Sequence, residues 1–266
     1  MAKRMTWSKD KRIITDSYDE ASSCYDKLME APYQIFYRER IKRVILDQIQ
    51  PKGMVLDIGC GTGFPSRFLS EEGNKVVAFD ISQNMVKKAC ESTTHRNSIH
   101  YLIFDAEAPY PFQESVFDYV MAIGSLSHVE NLSKSLGEIK RVCKAGARFV
   151  ATFSSRYWCC RILENFPLKT FLLRSSQRIK WEDMIKTRKL ISFLYHTRPL
   201  VNEMKGYFKI LDVQGVGFVP FIARIQSSTK LVEKMEMYIK LEQKLARRKI
   251  FRNLGMEIII VAEVLK

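Results

Sequence analysis

The sequence contains no apolar run that approaches the ~18–20 residues of a membrane-spanning helix. Its first residues, MAKRMTWSKDKR, also lack the apolar stretch of a secretory signal. We therefore expect neither a spanning helix nor export, and we predict a cytoplasmic protein.

Paired cysteines and metal-ligand spacings are missing as well. The 6 cysteines show no CxxC spacing, and the 4 histidines are not spaced as ligands. In a chain without an export signal, such cysteines are expected to be reduced thiols. The sequence therefore predicts no metal site, and it shows no nucleophilic triad.

The composition excludes a disordered chain. Of the 266 residues, 46% are hydrophobic and 27% are charged, which is enough apolar surface to build a substantial core. The length fits one α/β domain with an insertion, and we predict a single domain over 1–266.

Positive charge is concentrated in the C-terminal part. The net charge is +2 over 1–50, zero over 51–150 and +12 over 151–266. A basic region of this kind can attract an anionic substrate, RNA or a membrane surface. Alternatively, the charge only keeps the protein soluble. The sequence leaves these alternatives and the oligomeric state open.

Short apolar segments alternate with helix-like stretches through the middle of the chain. They occupy 54–58, 75–80, 99–105, 117–123 and 147–153. Continuous Val/Ile/Phe-rich segments separated by helices predict a mostly parallel sheet with helices on both faces, of the α/β class.

The segments around this core complete the predicted organisation. Residues 1–50 have helical apolar spacing and form a predicted N-terminal helical lid before the cofactor-binding core at 51–153. A helical cap insertion is predicted over 154–206, where aromatic residues lie among many Lys and Arg residues. The end, 207–266, reads as strand, helix and strand, with the helix over 228–249.

A glycine-rich turn, Gly59-Cys60-Gly61-Thr62-Gly63, follows the first predicted strand and opens a helix. Glycines permit positive φ and close approach of a ligand, and the helix N-terminus offers free N–H groups. This combination suits a nucleotide-like ligand at the carboxyl end of the sheet. Asp57, two residues before the first glycine, favours a ligand with a cationic amino group over a pyrophosphate.

Acids also end the next two predicted strands. Asp80 lies 23 residues after Asp57, a distance at which an acid commonly holds ribose hydroxyls. Asp105 can accept a hydrogen bond from an adenine amine, while the N–H of Ala106 can donate to a ring nitrogen. Three strand-end acids in successive units predict one pocket for an adenosyl compound.

Several motifs together resemble the class I S-adenosylmethionine-dependent methyltransferases, in the small-molecule (type 11/25-like) branch. They are VLDIGCGTG (55–63), VVAFDIS (76–82), FDAEAPYPF (104–112), FDYVMAIGSLSHVE (117–130) and EIKRVCKAGARFV (138–150). The segment YDEASSCYDKL (18–28) is similar to a tyrosine–aspartate pair common in that branch. The resemblance covers about residues 15–153 and implies a Rossmann-like seven-stranded sheet with S-adenosyl-L-methionine as cofactor.

The resemblance also implies roles for individual residues. In the family, positions matching Asp57 and Gly59 help hold the methionine end, and Asp80 grips the ribose. The implied cofactor contacts are Tyr18, Tyr25, Asp57, Gly59, Cys60, Gly61, Gly63, Asp80, Ile81, Met85, Asp105, Ala106, Ala122 and Ile123. Tyr18 and Tyr25 either close over the cofactor or pack the N-terminal helix.

His128 follows the fourth predicted strand, at a position that faces the substrate cavity in related enzymes. It is the candidate catalytic base, and the alternative is a structural histidine. The implied activity is methyl transfer to an O, N or C atom of a small acceptor, lipidic or anionic. The alternatives are an RNA (tRNA) methyltransferase that uses the basic C-terminal region, and an inactive cofactor-binding partner subunit.

Overall fold

The computed structural model describes residues 7–94, 98–156, 179–185, 188–222 and 229–265. Three helices come first: α1 (Lys9–Ala21), α2 (Tyr25–Leu28) and α3 (Pro32–Leu46). The side chain of Ser8 accepts from the N–H of Lys11 and caps α1, and Pro32 opens α3, where a missing N–H is harmless.

Strands and helices then alternate as predicted. The strands are β1 (Met54–Ile58), β2 (Lys75–Asp80), β3 (Ile99–Ile103), β4 (Phe117–Ala122) and β5 (Cys143–Ser154). The helices between them are α4 (Phe64–Glu71), α5 (Gln83–Glu91) and α6 (Leu132–Val142), and a 3-10 turn spans Leu126–His128.

The C-terminal part adds β6 (Ile179–Ile185), β7 (Arg188–Leu194), α7 (Thr197–Met204), β8 (Phe208–Val216), α8 (Phe218–Ile222), α9 (Thr229–Glu233), α10 (Met235–Leu245), α11 (Lys249–Leu254) and β9 (Glu257–Val264). Among the described residues, none of these helices is long and apolar enough to cross a bilayer.

The main sheet has seven strands in the order β3-β2-β1-β4-β5-β9-β8. Strands β1 to β5 run parallel, and β9 runs antiparallel between β5 and β8. The prediction of a seven-stranded, mostly parallel α/β sheet is confirmed. Both faces of the sheet are covered by apolar residues. Of two neighbouring residues in β1, Val55 belongs to the apolar cluster on one face and Leu56 to the cluster on the other.

The chain order reverses at β1, which has β2 on one side and β4 on the other. The connections after these two strands lead away from each other and leave a crevice at their carboxyl ends. Open α/β sheets bind ligands at such a switch point. The topology therefore places the predicted glycine turn at the edge of a ready-made cleft.

The prediction of a helical insertion over 154–206 is wrong for 179–185 and 188–194, where β6 and β7 pair antiparallel. Residues 157–178, 186 and 187 lie outside the described part of the chain, and α7 is helical as predicted. Ile191, Phe193 and Leu194 are all buried, so this end of β7 is covered on both faces. Their spacing therefore also fits a helix, which misled the sequence-based interpretation.

The single amphipathic helix predicted over 228–249 is instead broken into α9 and α10, with α11 beginning at its end. The break lies at Lys234, where the backbone leaves helical geometry at φ −110° and ψ 22°. Leu231 before the break and Ile239 after it are both buried beside Phe36 of α3. Packing on α3 therefore extends across the break.

Ile260→Ala is expected to lower the free energy of unfolding by about 2–5 kcal/mol, because Ile260 is fully buried at the centre of β9. The matched control is Ile250→Ala in α11, whose side chain is 70% exposed; its cost should stay below about 0.5 kcal/mol. Urea unfolding of both variants measures the difference. Equal losses would contradict the placement of β9 inside the core.

Candidate active site

A cavity of about 460 Å³ opens at the carboxyl ends of the central strands. Small-molecule sites usually span ~300–1,000 Å³, so this volume suits a cofactor-sized ligand. Helices α1 and α3 contribute Tyr18 and Tyr37 to its wall, while Ser192 of β7 and Glu257 of β9 line it too. The cavity is thus enclosed by the N-terminal helices and the insertion as well as by the sheet.

The glycine turn forms one edge of the cavity. Gly59, Gly61 and Gly63 have φ of 68°, 53° and 83°, a region that side chains rarely adopt. A Cβ on Gly59 would lie 2.2 Å from the Cβ of Ser125, whereas one on Gly61 would meet no protein atom within 4 Å. Gly59 is therefore required for packing, and Gly61 leaves space on the cavity side.

Asp80 is held rigidly at the end of β2. Its Oδ2 accepts from the N–H of Gly61 and its Oδ1 from the N–H of Ser82, both at 2.9 Å. Burial raises the pKa of Asp80, and these two backbone donors oppose the rise. The carboxylate lines the cavity with acceptor capacity left over, as a pair of ribose hydroxyls requires.

Asp57 is 1% exposed and is not one of the residues that line the cavity. Its Oδ2 accepts from the hydroxyl of Ser66 at 2.5 Å, while its Oδ1 has no partner among the described residues. Burial raises the pKa of Asp57 to about 7. A buried carboxyl without an ion-pair partner is stabilised by a positive charge nearby. The predicted contact between Asp57 and the methionine end of the cofactor stays a prediction.

The acid predicted to recognise adenine has a partner in the protein. The ammonium of Lys11, on α1, lies 2.7 Å from Oδ2 of Asp105 and 3.0 Å from Oε2 of Glu107. Oδ1 of Asp105 accepts from the N–H of Glu107 at 2.9 Å. Lys11 thus fastens α1 over the edge of the cavity where Asp105 and Ala106 lie.

Tyr18 and His128 form a hydrogen-bonded pair on the cavity wall, with 2.9 Å between the hydroxyl and Nε2. Nδ1 of His128 lies 2.8 Å from the carbonyl oxygen of Ile191. A carbonyl only accepts, so Nδ1 carries the proton and Nε2 accepts from Tyr18. Burial lowers the pKa of His128 and raises that of Tyr18 well above its usual value, so both are neutral near pH 7.

Most of the predicted site residues lie on this one cavity. Its wall includes Tyr18, Tyr25, Gly59, Cys60, Gly61, Asp80, Ile81, Met85, Asp105, Ala106, Ile123 and His128.

Gly63, Ala122 and Asp57 lie off the wall. Gly63 caps α4, where a Cβ would lie 2.6 Å from the hydroxyl of Tyr101, so packing demands glycine. Ala122 is buried in the apolar core opposite Ala151, and its neighbour Ile123 reaches the cavity instead.

The wall residues that the sequence reasoning missed include Lys11, Tyr37, Arg38 and Glu257. Arg38 lies over the ring of Phe64, 4.6 Å from its centre. The first three read as ordinary polar positions of amphipathic helices, and Glu257 reads as the start of a strand. Only the tertiary contacts of α1, α3 and β9 bring them to the cavity. Within the described residues, no group of three or more His, Cys, Asp or Glu could hold a metal ion.

Comparisons with known proteins agree with this geometry. A profile of the family described as "Methyltransferase domain" matches residues 56–151. An uncharacterized protein of Methanocaldococcus jannaschii is 34% identical over 160 residues, 59% of this chain and 58% of that protein. The demethylmenaquinone methyltransferase of Beutenbergia cavernae is 31% identical over 173 residues, 64% of this chain and 70% of that enzyme.

The matches cover 58% and 59% of the first two curated relatives, so this chain spans about three fifths of their length. A solved protein of Pyrococcus horikoshii has a TM-score of 0.61 at 20% identity, covering 97% of this chain and 99% of that chain. N-methyltransferase NodS of Bradyrhizobium japonicum, solved with S-adenosyl-L-homocysteine, has a TM-score of 0.60 at 12% identity, covering 95% and 99%. At these identities, the structures establish the fold.

The sheet order and the glycine-edged cavity at its switch point define a Rossmann-like protein that binds a nucleotide-like cofactor. The sequence matches narrow this class: the chain belongs to the S-adenosylmethionine-dependent methyltransferases of the methyltransferase domain family.

Asp57→Asn is expected to stabilise the ligand-free protein in a pH-dependent way. Because the pKa of Asp57 is raised from 3.8 to about 7, the folded protein binds more protons than the unfolded chain between these values. The wild type therefore loses stability as pH rises through this window, and the variant does not. Its advantage in unfolding free energy should grow from about pH 4 to about pH 7 and then level off.

Thermal and urea unfolding across that range measure the difference. The control is Asp47→Asn, a substitution of the same type at the exposed end of α3. A pH-independent difference for Asp57→Asn would show that the buried carboxyl is not preferentially protonated.

Proposed function

We propose that this chain transfers the methyl group of S-adenosylmethionine to an O, N or C atom of a small acceptor. The observation that carries this proposal is one cavity that joins Asp80, the glycine turn and the Asp105–Ala106 edge with the Tyr18–His128 pair. Bound cofactor would supply an activated methyl group on a sulfonium, which needs positioning and exclusion of water more than further activation.

Particular residues would hold the cofactor. Asp80 would accept from the ribose hydroxyls, and Ile81 and Met85 would pack on the adenine. The buried carboxyl of Asp57 favours a positive methionine end, and the Arg38 guanidinium on the wall would pair with the methionine carboxylate. Gly61 leaves the space that the chain between these groups would fill.

The N-terminal helices would act as the lid. Asp19 of α1 accepts from the hydroxyl of Ser82 at 2.5 Å, and Asp26 of α2 accepts from that of Thr62 at 2.7 Å. With the Lys11–Asp105 ion pair, these bonds fasten α1 and α2 across the cavity mouth. Cofactor exchange therefore requires these contacts to open, and their closure would exclude water during transfer.

Tyr18 and His128 would manage the proton of the acceptor. Nδ1 of His128 is occupied by the Ile191 carbonyl and Nε2 by the Tyr18 hydroxyl. His128 would therefore act through Tyr18, whose hydroxyl proton passes to Nε2 as the phenol oxygen takes the proton of the acceptor. This arrangement makes Tyr18 the group that meets the acceptor.

A small acceptor is favoured over RNA by the enclosure of the cavity and by ion pairs that basic side chains make on the surface. In the C-terminal part, Arg247 pairs with Asp212 at 2.7 Å, Lys240 with Glu236 at 3.5 Å and Lys209 with Glu263 at 3.7 Å. Such pairing reduces the charge offered to a phosphate backbone. The relatives named for demethylmenaquinone and for malonyl-[acyl-carrier protein] differ in acceptor, so they do not select one for this chain.

Asp80→Asn is expected to weaken binding of S-adenosyl-L-homocysteine by about tenfold to a hundredfold, because an amide replaces a charged acceptor of two hydroxyls. Isothermal titration calorimetry measures the affinity, with exposed Asp47→Asn as the matched control. Unchanged affinity would remove the ribose role, and no binding to the wild type would overturn the proposed function.

Tyr18→Phe and His128→Asn are each expected to lower the rate of methyl transfer about 10²–10⁴-fold while leaving cofactor affinity within a few fold. Labelled S-adenosylmethionine with a cell extract as acceptor source measures transfer, followed by identification of the product. A normal rate in both variants would assign His128 a structural role. No product from the wild-type chain alone would favour the inactive partner-subunit alternative.

A further inference from the structure

One acid on the cavity wall has no task in binding the cofactor. Glu257 is the first residue of β9 and pairs in register with Ser154 at the end of β5. Both residues line the cavity, as does Ser192 of β7. The carboxylate therefore stands at the end of the cavity built from β5, β7 and β9.

Hydrogen bonds fix this carboxylate in place. The hydroxyl of Tyr37, on α3, donates to Oε2 of Glu257 and lies 3.2 Å from Oγ1 of Thr152. Oγ1 of Thr152 in turn accepts from the N–H of Gly124 at 2.8 Å, just after β4. Glu257 is thus oriented by neighbours on three elements of the wall.

No cation among the described residues neutralises Glu257. Burial raises its pKa, and only the hydroxyls of Tyr37 and Thr152 oppose this. Neither cationic side chain on the wall pairs with Glu257: Lys11 pairs with Asp105 and Glu107, and Arg38 lies over the ring of Phe64. A carboxyl group buried in this way is stabilised when a positive charge enters beside it.

The position of Glu257 indicates that the positive charge beside it belongs to the acceptor. The glycine turn and Asp80 follow β1 and β2, on one side of the switch point, whereas β5 and β9 lie beyond β4 on the other. We propose, on the basis of the proposed function, that the acceptor carries a basic amine whose ammonium group pairs with Glu257. Ser154 and Ser192 supply further hydrogen-bonding groups beside it.

The test measures binding rather than turnover. The protein is saturated with S-adenosyl-L-homocysteine and titrated calorimetrically with two pairs of matched probes: 2-phenylethylamine against 2-phenylethanol, and hexylamine against hexanol. The amines should bind about tenfold or more tightly than the alcohols. Glu257→Gln should abolish the preference for amines and leave the affinity for S-adenosyl-L-homocysteine unchanged. The control Glu233→Gln, on the exposed side of α9, should keep the preference for amines.

The outcomes separate the two proposals. Failure of S-adenosyl-L-homocysteine to bind would overturn the proposed function itself. If it binds but amines and alcohols bind alike, or no amine binds at millimolar concentration, the amine proposal is overturned. It is also overturned if Glu257→Gln weakens S-adenosylmethionine and not S-adenosyl-L-homocysteine, because the carboxylate then serves the sulfonium charge.

Discussion

The end of β2 holds the glycine turn of β1, and the rest of the site depends on this junction. The carbonyl of Phe79 accepts from the N–H of Gly59 at 2.8 Å and of Cys60 at 3.0 Å, and Asp80 accepts from Gly61. Backbone groups in a tight turn need such partners when they leave a sheet. The same junction fixes the carboxylate of Asp80 at the cavity, so the turn and the acid form one unit.

The N-terminal helices cover the cleft beside this junction. The turn forms only one edge of the cleft, and residues of α1, α2 and α3 line its other walls. Contacts of α1 and α2 with Ser82, Thr62 and Asp105 all attach to residues that follow β1, β2 or β3. The attachment points of the cover are polar, and the residues that it contacts, Ser82, Thr62 and Asp105, are buried.

Sequence patterns predicted the parts of the protein that depend on local order. The alternation of buried strands with helices gave β1 to β5, and the strand-end positions of Asp80 and Asp105 placed both acids on one cavity. These features follow from parallel strands sharing one carboxyl edge. The pairing of β6 with β7 was missed because Ile191, Phe193 and Leu194 do not alternate strictly with polar residues. Lys11, Arg38 and Glu257 were missed because only tertiary packing brings α1, α3 and β9 to the cleft.

Buried acids lie on the cavity wall and, at Asp57, behind it. Asp57, Asp80 and Glu257 all have raised pKa values because burial disfavours their charged forms, and no described cation pairs with Asp57 or Glu257. Folding alone does not favour such groups, since apolar residues of similar size would cost less to bury. A ligand with positive charge near these acids would recover that cost. The proposed cofactor and the proposed amine acceptor would supply such charge on the two sides of the switch point.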